Sequence, residues 1–292
     1  MLRAYVKSDI PARSIQRIST ALAAHAPSHI AIVEHPQMAD LIVHIVVGVG
    51  NFADIPIDKL IENEMAHDQR YAIVQCCLMS TEQAVPDFWK PLWTNADLVW
   101  SYLDLTKFAP TYDFPFYYAP LGVDSSVFNR NGKRDRDITM LTTGYVPDAE
   151  CIRECAEAVR RVEGKHFQVG PDFHIGPHST AKLNIPDFEM ASLYSRSRFV
   201  AGLRRDEGFE LPAAEGLMCG ARPIMFDAPH YRKWFDKWAV FIPEECSEKV
   251  TASIEQVLKK ELPVTDREFE EVRTTFDWSN IVGEFWERIE AS

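Results

Sequence analysis

The stretch "LYSRSRFVAGLRRDEGFELPAAEGLMCGARPIMFDAPHYR", residues 193–232, is built from two kinds of segment. "RFVAGL" (198–203) and "RPIMFD" (222–227) are short apolar runs of the kind that form strands covered on both faces. Between them "FELPAAEGLMCG" (209–220) is dominated by small and straight-chain residues and reads as a helix starting near Phe209 or Glu210. Strand, turn, helix and strand together make the repeating unit of a parallel α/β sheet. Glu207 and Glu215 stand eight residues apart in this unit, one in the turn before the helix and one within its first two turns.

The same rhythm runs outward in both directions. "LRAYV", "HIAIVEH", "ADLIVHIVVG", "RYAIVQCCLM" and "ADLVWSYL" read as strands, with "ARSIQRISTALAAH" between the first two showing helical spacing of apolar residues. These fall within residues 1–118 and predict one small α/β domain. "FPFYYAPLGVDSSVFNRNGKRDRD" then breaks the rhythm with two prolines and a polar run, which places a boundary there. A second cycle follows with "DITMLTTGY" as strand, "DAECIRECAEAVRRVEG" as helix, "KHFQVG" as strand and "DFEMASLYSRS" as helix. The second domain spans 119–270, and residues 271–292 form a C-terminal helix, broken near "TFDWSN", that is expected to cross back to the first domain.

Composition narrows the function. With 292 residues, 46% of them apolar, the chain can bury two medium cores. The net charge of -12 is spread along it, with 8 Lys+Arg against 13 Asp+Glu in residues 1–120 and 23 against 30 in the remainder. Binding to nucleic acid depends on neutralising phosphates, so this balance argues against a large DNA footprint. The basic cluster "RNGKRDRD" (130–137) carries its own aspartates and reads as a solvated connector. Six cysteines, Cys76–Cys77 and the pair Cys151 and Cys155 among them, lack zinc-site spacing and read as reduced, mostly buried thiols. The start "MLRAYVKSDIPAR" has no apolar signal core, and no run reaches the ~18 apolar residues of a membrane span, which predicts a cytoplasmic protein without a transmembrane segment.

The chemistry of the opening stretch admits two readings. The amides that start the helix favour an anion, Gly208 lets a ligand approach the backbone, and an ionised Glu207 accepts hydrogen bonds from hydroxyls. Hydroxyl acceptors beside anion-binding amides at the carboxyl end of a parallel strand suit a sugar joined to a phosphate. The same spacing also reads as two helix-start carboxylates favoured by the dipole.

The stretch 193–232 resembles the donor-binding segment of retaining GT-B glycosyltransferases of the family 4 (GT4) type, whose pattern is E-x7-E, a small-residue helix, C-G, an apolar strand and Asp. "APLGVDSSVF", "ITMLTTG", "FQVG" and "FDWSNIVGEFWERI" resemble further family segments in family order, so the likeness covers residues 118–292. It implies an α/β GT-B fold, in compact form, of two Rossmann-like domains with parallel sheets facing across a cleft. The first would be the acceptor side and the second the donor-binding side. It also implies a retaining hexosyl- or other glycosyltransferase that uses a nucleotide diphosphate sugar, such as a UDP- or GDP-sugar, without an obligatory metal or other cofactor. The acceptor would be a glycan, lipid or other hydroxyl compound. In that family the first glutamate of the motif contacts the sugar and the second holds the ribose, which maps onto Glu207 and Glu215. Backbone amides around Gly208, Phe209 and Glu210 would face the sugar or diphosphate, and Leu211 would also meet the donor.

The chain departs from the family where a metal-free site needs cations to stabilise the leaving diphosphate. The family's Arg and Lys follow the first strand of the second domain. Here that stretch is "TTGYVPDAE", with Gly144 and then Tyr145 in the Arg place and Asp148 or Ala149 near the Lys place. Arg204 and Arg205, ending the strand before Glu207, are the nearest substitutes, and alternation along a strand sends one of them, Arg204, toward the phosphates. Another candidate is Lys7, after the first strand. The histidine that often lines the sugar site has no counterpart in "YAIVQCCLM", which offers Gln75, Cys76 and Cys77. His35 and His44 flank or lie in strands. Besides transfer to a small acceptor, a phage-type enzyme acting on a hydroxylated DNA base and a non-catalytic GT-B subunit that binds a nucleotide sugar remain alternatives.

Overall fold

The computed structural model describes residues 1–8, 13–46, 69–76, 85–111, 113–130, 135–205 and 208–292. The chain divides into two compact units, Met1–Leu121 with Trp278–Ser292, and Gly122–Asp277.

The first unit holds strands β1 (Leu2–Ser8), β2 (Ile30–Ile32), β3 (Leu41–Val46), β4 (Arg70–Gln75), β5 (Leu98–Ser101) and β6 (Phe116–Tyr118). They form a parallel sheet in the order β2-β1-β3-β4-β5-β6. β3 is buried at every position and β4 at all but Arg70, which is why both read as unbroken apolar runs. β6 lies inside the stretch whose prolines suggested only a break; its three residues pair with β5 at the sheet edge, where little pairing is needed. The helix Trp278–Ala291 belongs to this unit through its aromatics. Trp278 meets Trp100 edge-on at 6.2 Å, Phe285 lies 5.7 Å from Trp100, and Trp286 Nε1 donates to the Leu22 carbonyl at 3.2 Å.

The second unit holds β7 (Ile138–Thr143), β8 (His166–Val169), β9 (Ser179–Lys182), β10 (Ser197–Gly202), β11 (Arg222–Phe226) and β12 (Val240–Ile242), parallel in the order β12-β11-β10-β7-β8-β9. The chain builds outward from β7 through β8 and β9, then returns to the other side of β7 with β10. This reversal leaves a crevice beyond the carboxyl ends of β7 and β10, where ligands of open parallel sheets bind. β9 and β12 escaped the sequence reading because "STAK" is polar and half-exposed and "VFI" is only three residues long.

Between β10 and β11 the helix runs over Leu211–Met218, with Pro212 in its first turn, where a missing amide costs nothing. Gly216 lets it lie close on β10, since a Cβ there would come within 2.5 Å of Val200 Cγ1. β10 ends at Gly202, so Arg204 and Arg205 lie beyond the strand rather than in it. The helix expected over 148–164 forms over Ile152–Arg161, and the helix Asp266–Phe276, started by a capping box from Thr265 and Glu268, lies in the second unit. The described residues of the basic cluster bond within the second unit, and residues 131–134 lie outside the described residues. Arg130 pairs with Asp266 at 2.6 Å, Arg136 donates to the Ser197 and Gly220 carbonyls, and Asp137 pairs with Arg196. Among the described residues no helix is long and apolar enough to cross a membrane.

Candidate functional site

The crevice is framed on one side by the turn that leaves β7. There the consecutive amides of Tyr145 and Val146 donate to Glu150 Oε2 at 2.6 and 2.7 Å. Two adjacent amides aimed at one oxygen form a small anion-binding nest. Gly144 makes room for the occupant, because a Cβ at this position would overlap the Glu150 carboxylate. The side chains of Tyr145 and Val146 point outward and are 66% and 55% exposed.

Behind the turn a chain of buried polar groups fixes Gly144. Gln168 Nε2 donates to the Gly144 carbonyl at 2.9 Å, and the Thr142 hydroxyl donates to Gln168 Oε1. With its proton so used, Thr142 Oγ1 accepts from His166 Nε2 at 2.8 Å, and His166 Nδ1 accepts from the Ser179 hydroxyl at 2.9 Å. The chain requires a proton on Nε2, and a neutral imidazole completes it by accepting at Nδ1. Burial enforces that state, holding the His166 pKa down to about 3.

From the β10 side comes Arg204. Its Nε donates to Glu150 Oε1 at 3.0 Å, one terminal nitrogen to Glu210 Oε2 at 2.6 Å, and the other to Thr143 O at 2.8 Å and Thr143 Oγ1 at 3.1 Å. Glu210 is fully buried, and desolvation pushes its pKa up while Arg204 pulls it back. Tyr231 closes this corner, its hydroxyl lying 3.0 Å from the Arg204 carbonyl and 3.4 Å from Glu210 Oε1. Arg204 is therefore aimed at the crevice edge, paired with both Glu150 and Glu210 and oriented by Glu210 and Thr143.

The other expected donor-site residues are distributed unevenly. Arg205 turns away to Glu244 at 2.6 Å and to Cys151 Sγ at 3.8 Å. The Phe209 ring is core, with centroids 5.3 Å from Phe235 and 6.0 Å from Phe276, so this side chain anchors the backbone whose amides are expected to face the donor. Glu210 lies beneath Arg204 with no exposed surface of its own. Leu211 opens the helix, and Glu215, on its second turn and 4% exposed, accepts from the Tyr194 hydroxyl at 3.0 Å. Gly208 follows residues 206 and 207, so the expected catalytic Glu207 lies outside the described residues. Glu150 was not foreseen. The signal for it is an acidic residue closing the short turn "GYVPDAE", within reach of the amides at its start.

In the first unit His44 is a core residue whose Nδ1 lies 2.6 Å from the Tyr71 hydroxyl, Gln75 accepts from Trp93 Nε1 at 3.1 Å, and Cys76 is buried. His35 is exposed beside a short turn, Lys7 lies on β1, and Cys77 lies outside the described residues. Cys76, Cys151, Cys155, Cys219 and Cys246 are free thiols, and burial pushes Cys151 up to about 12. Among the described residues no group of His, Cys, Asp and Glu is arranged to hold a metal ion.

No protein-family model matches the chain, and no curated protein sequence does. By structure it is similar to a sucrose-phosphate synthase from Thermosynechococcus elongatus, with 12% identity, a TM-score of 0.74 and 99% of each chain covered. It is also similar to a glycosyltransferase from Rickettsia africae ESF-5, with 9% identity, a TM-score of 0.73 and coverage of 99% of this chain and 97% of the other. A pneumococcal O-GlcNAc transferase solved with UDP and GlcNAc matches at 13% identity and a TM-score of 0.64, over 86% of this chain and 56% of its own. These structural neighbours are glycosyltransferases, and what the chain shares with them is the GT-B fold, two six-stranded parallel sheets flanked by helices.

Proposed function

We propose that the chain is a retaining glycosyltransferase of the family 4 type, which binds a nucleotide diphosphate sugar at the carboxyl ends of β7 and β10 and passes the sugar to an acceptor hydroxyl. The observation that carries this reading is positional. The described part of the E-x7-E segment, residues 208–215, follows β10, one of the two strands between which the order of the second sheet reverses, in a chain whose fold matches glycosyltransferases over 99% of its length. Glu215 is assigned to the ribose and Glu207 to the sugar hydroxyls. The glycosidic bond breaks with its electron pair going to the diphosphate, and the acceptor oxygen forms the new bond to the anomeric carbon on the same face as its proton passes to the departing diphosphate oxygen. Negative charge grows on the diphosphate in that step, so amides and Arg204 are the groups assigned to stabilise it. The first unit is assigned the acceptor, a glycan, lipid or other hydroxyl compound, and the free buried thiols suit a reducing cytoplasm.

One observation favours a second reading, a protein that binds a nucleotide sugar without transferring it. Glu150 matches the charge of Arg204 at the place where the leaving group needs a cation. Incubation with a panel of UDP- and GDP-sugars separates the two: slow hydrolysis of one donor supports the enzyme, and calorimetric binding without hydrolysis supports the binder. Transfer to a hydroxylated DNA base is kept as the alternative acceptor reading, disfavoured by the net charge of -12.

A further inference from the structure

The turn after β7 already holds an anion, and the groups that hold it are general ones. Glu150 Oε2 takes the Tyr145 and Val146 amides at 2.6 and 2.7 Å, and Oε1 takes Arg204 Nε at 3.0 Å. Its carboxylate rests against Gly144 in space that a Cβ would fill. Nothing in this set selects a carboxylate over a phosphoryl group. Two aligned amides and a guanidinium serve either, and tetrahedral phosphoryl oxygens offer more acceptors at higher charge.

We propose that this nest is a binding site for a phosphoryl group of the donor diphosphate, and that Glu150 is a resident anion which keeps the site filled until the diphosphate displaces it. The inference rests on the nucleotide-sugar reading and adds to it the means by which the missing cations are replaced. Arg204 keeps its bonds to Glu210 and Thr143 when Glu150 leaves, so its guanidinium stays aimed at the vacated position. Glu150 can leave because its side chain is 15% exposed at the rim of the crevice and belongs to the turn rather than to the helix that begins at Ile152. With Glu150 in place the two amides and the guanidinium Nε are occupied; with Glu150 gone, the two amides and a guanidinium still paired with Glu210 face the ligand. The arrangement discriminates by charge, since a mono-anion gains little by replacing a carboxylate and a diphosphate gains more.

Calorimetry with inorganic pyrophosphate on the full chain tests this. Glu150→Ala removes the competitor and is expected to bind pyrophosphate on the order of ten-fold more tightly than the wild type, with Glu150→Gln moving the same way by less. In the wild type, pyrophosphate is expected to shift the Tyr145 and Val146 amide resonances, a measurement that does not depend on either variant folding. Unchanged or weaker affinity in folded variants, or silent amides, overturns the proposal. Turnover of nucleotide sugars is read separately. Turnover without the affinity gain removes this inference and leaves the transferase, whereas the affinity gain without turnover of any donor removes the transferase and leaves an anion site in a binding protein.

Discussion

Replacing Arg204 by alanine is expected to destabilise the second unit far more than replacing its neighbour Arg205. The guanidinium of Arg204 is 16% exposed and holds Glu210, which has no exposed surface, at 2.6 Å, together with Glu150 and the end of β7. Removing one partner of a buried pair strands the other charge in low dielectric, at a cost of about 3–5 kcal/mol. Arg205 and Glu244 are 30% and 48% exposed, and a pair of that kind contributes ~0–1 kcal/mol. For a unit of this size each kcal/mol moves the midpoint by roughly 2–4 °C, so Arg204→Ala should lower it by roughly 6–20 °C and Arg205→Ala by no more than about 4 °C. Calorimetric melting reads both. The signature is in the pH dependence. Glu210 already has a raised pKa from burial, and without Arg204 it rises further. A carboxyl with a raised folded pKa favours the fold while protonated and loses that contribution as pH rises through the folded value, so the defect should be smaller near about pH 5 than near about pH 8. Adding Glu210→Gln should recover much of the loss by removing the stranded charge. Equal midpoint shifts for the two arginines, or a defect that does not shrink in acid, would refute the assignment of Glu210 as the partner that matters.

Three further outcomes are expected. Glu215→Ala should weaken binding of UDP or GDP by about ten-fold or more in calorimetry, the value of one charge-assisted hydrogen bond to ribose, whereas an unchanged affinity would return Glu215 to a structural role that includes its bond from Tyr194. Glu207→Gln should lower turnover much more than nucleoside diphosphate affinity, because contact with an oxocarbenium-like sugar strengthens in the transition state; equal losses count against that division. His166 has its pKa depressed to about 3 by burial, so its contribution is fully present above the ordinary value of 6.5 and is lost as pH falls toward 3. Urea midpoints across that range should therefore slope less in His166→Gln than in the wild type.

Sequence and structure agree where burial on both faces imposes a pattern. β3, β4, β10 and β11 carry apolar runs because helices cover them, and a run of that length is legible without knowing its neighbours. Strands at the sheet edges carry no such pressure, and β6, β9 and β12 were hidden by three-residue length or polar composition. Phe209 shows a second limit. Its place between Gly208 and Glu210 suggests a ligand contact, but its ring is taken by Phe235 and Phe276, partners 26 and 67 residues away that no local pattern reveals.

The two arginines show a third limit, and it bears on the missing cations. Sequence gives the sign of a charge but not the counter-charge, and strand alternation correctly separates Arg204 from Arg205 only in the sense that they meet different carboxylates, since neither lies in β10. The family pattern places its cations on the turn after β7. This chain keeps Gly144, sends the Tyr145 side chain outward, and aims the backbone amides of that turn at Glu150. An amide is independent of side-chain identity, so the loss of Arg at position 145 says little about whether the turn can hold an anion. What decides it is whether Gly144 stays clear and whether the Gln168, Thr142 and His166 chain holds its carbonyl in place. On this argument Gly144→Ala should be more damaging to diphosphate binding than Tyr145→Ala, because the first fills the space in which the anion rests and the second removes only an exposed ring. Pyrophosphate calorimetry on the two variants separates them, and a larger loss in Tyr145→Ala would put the binding back on the side chain.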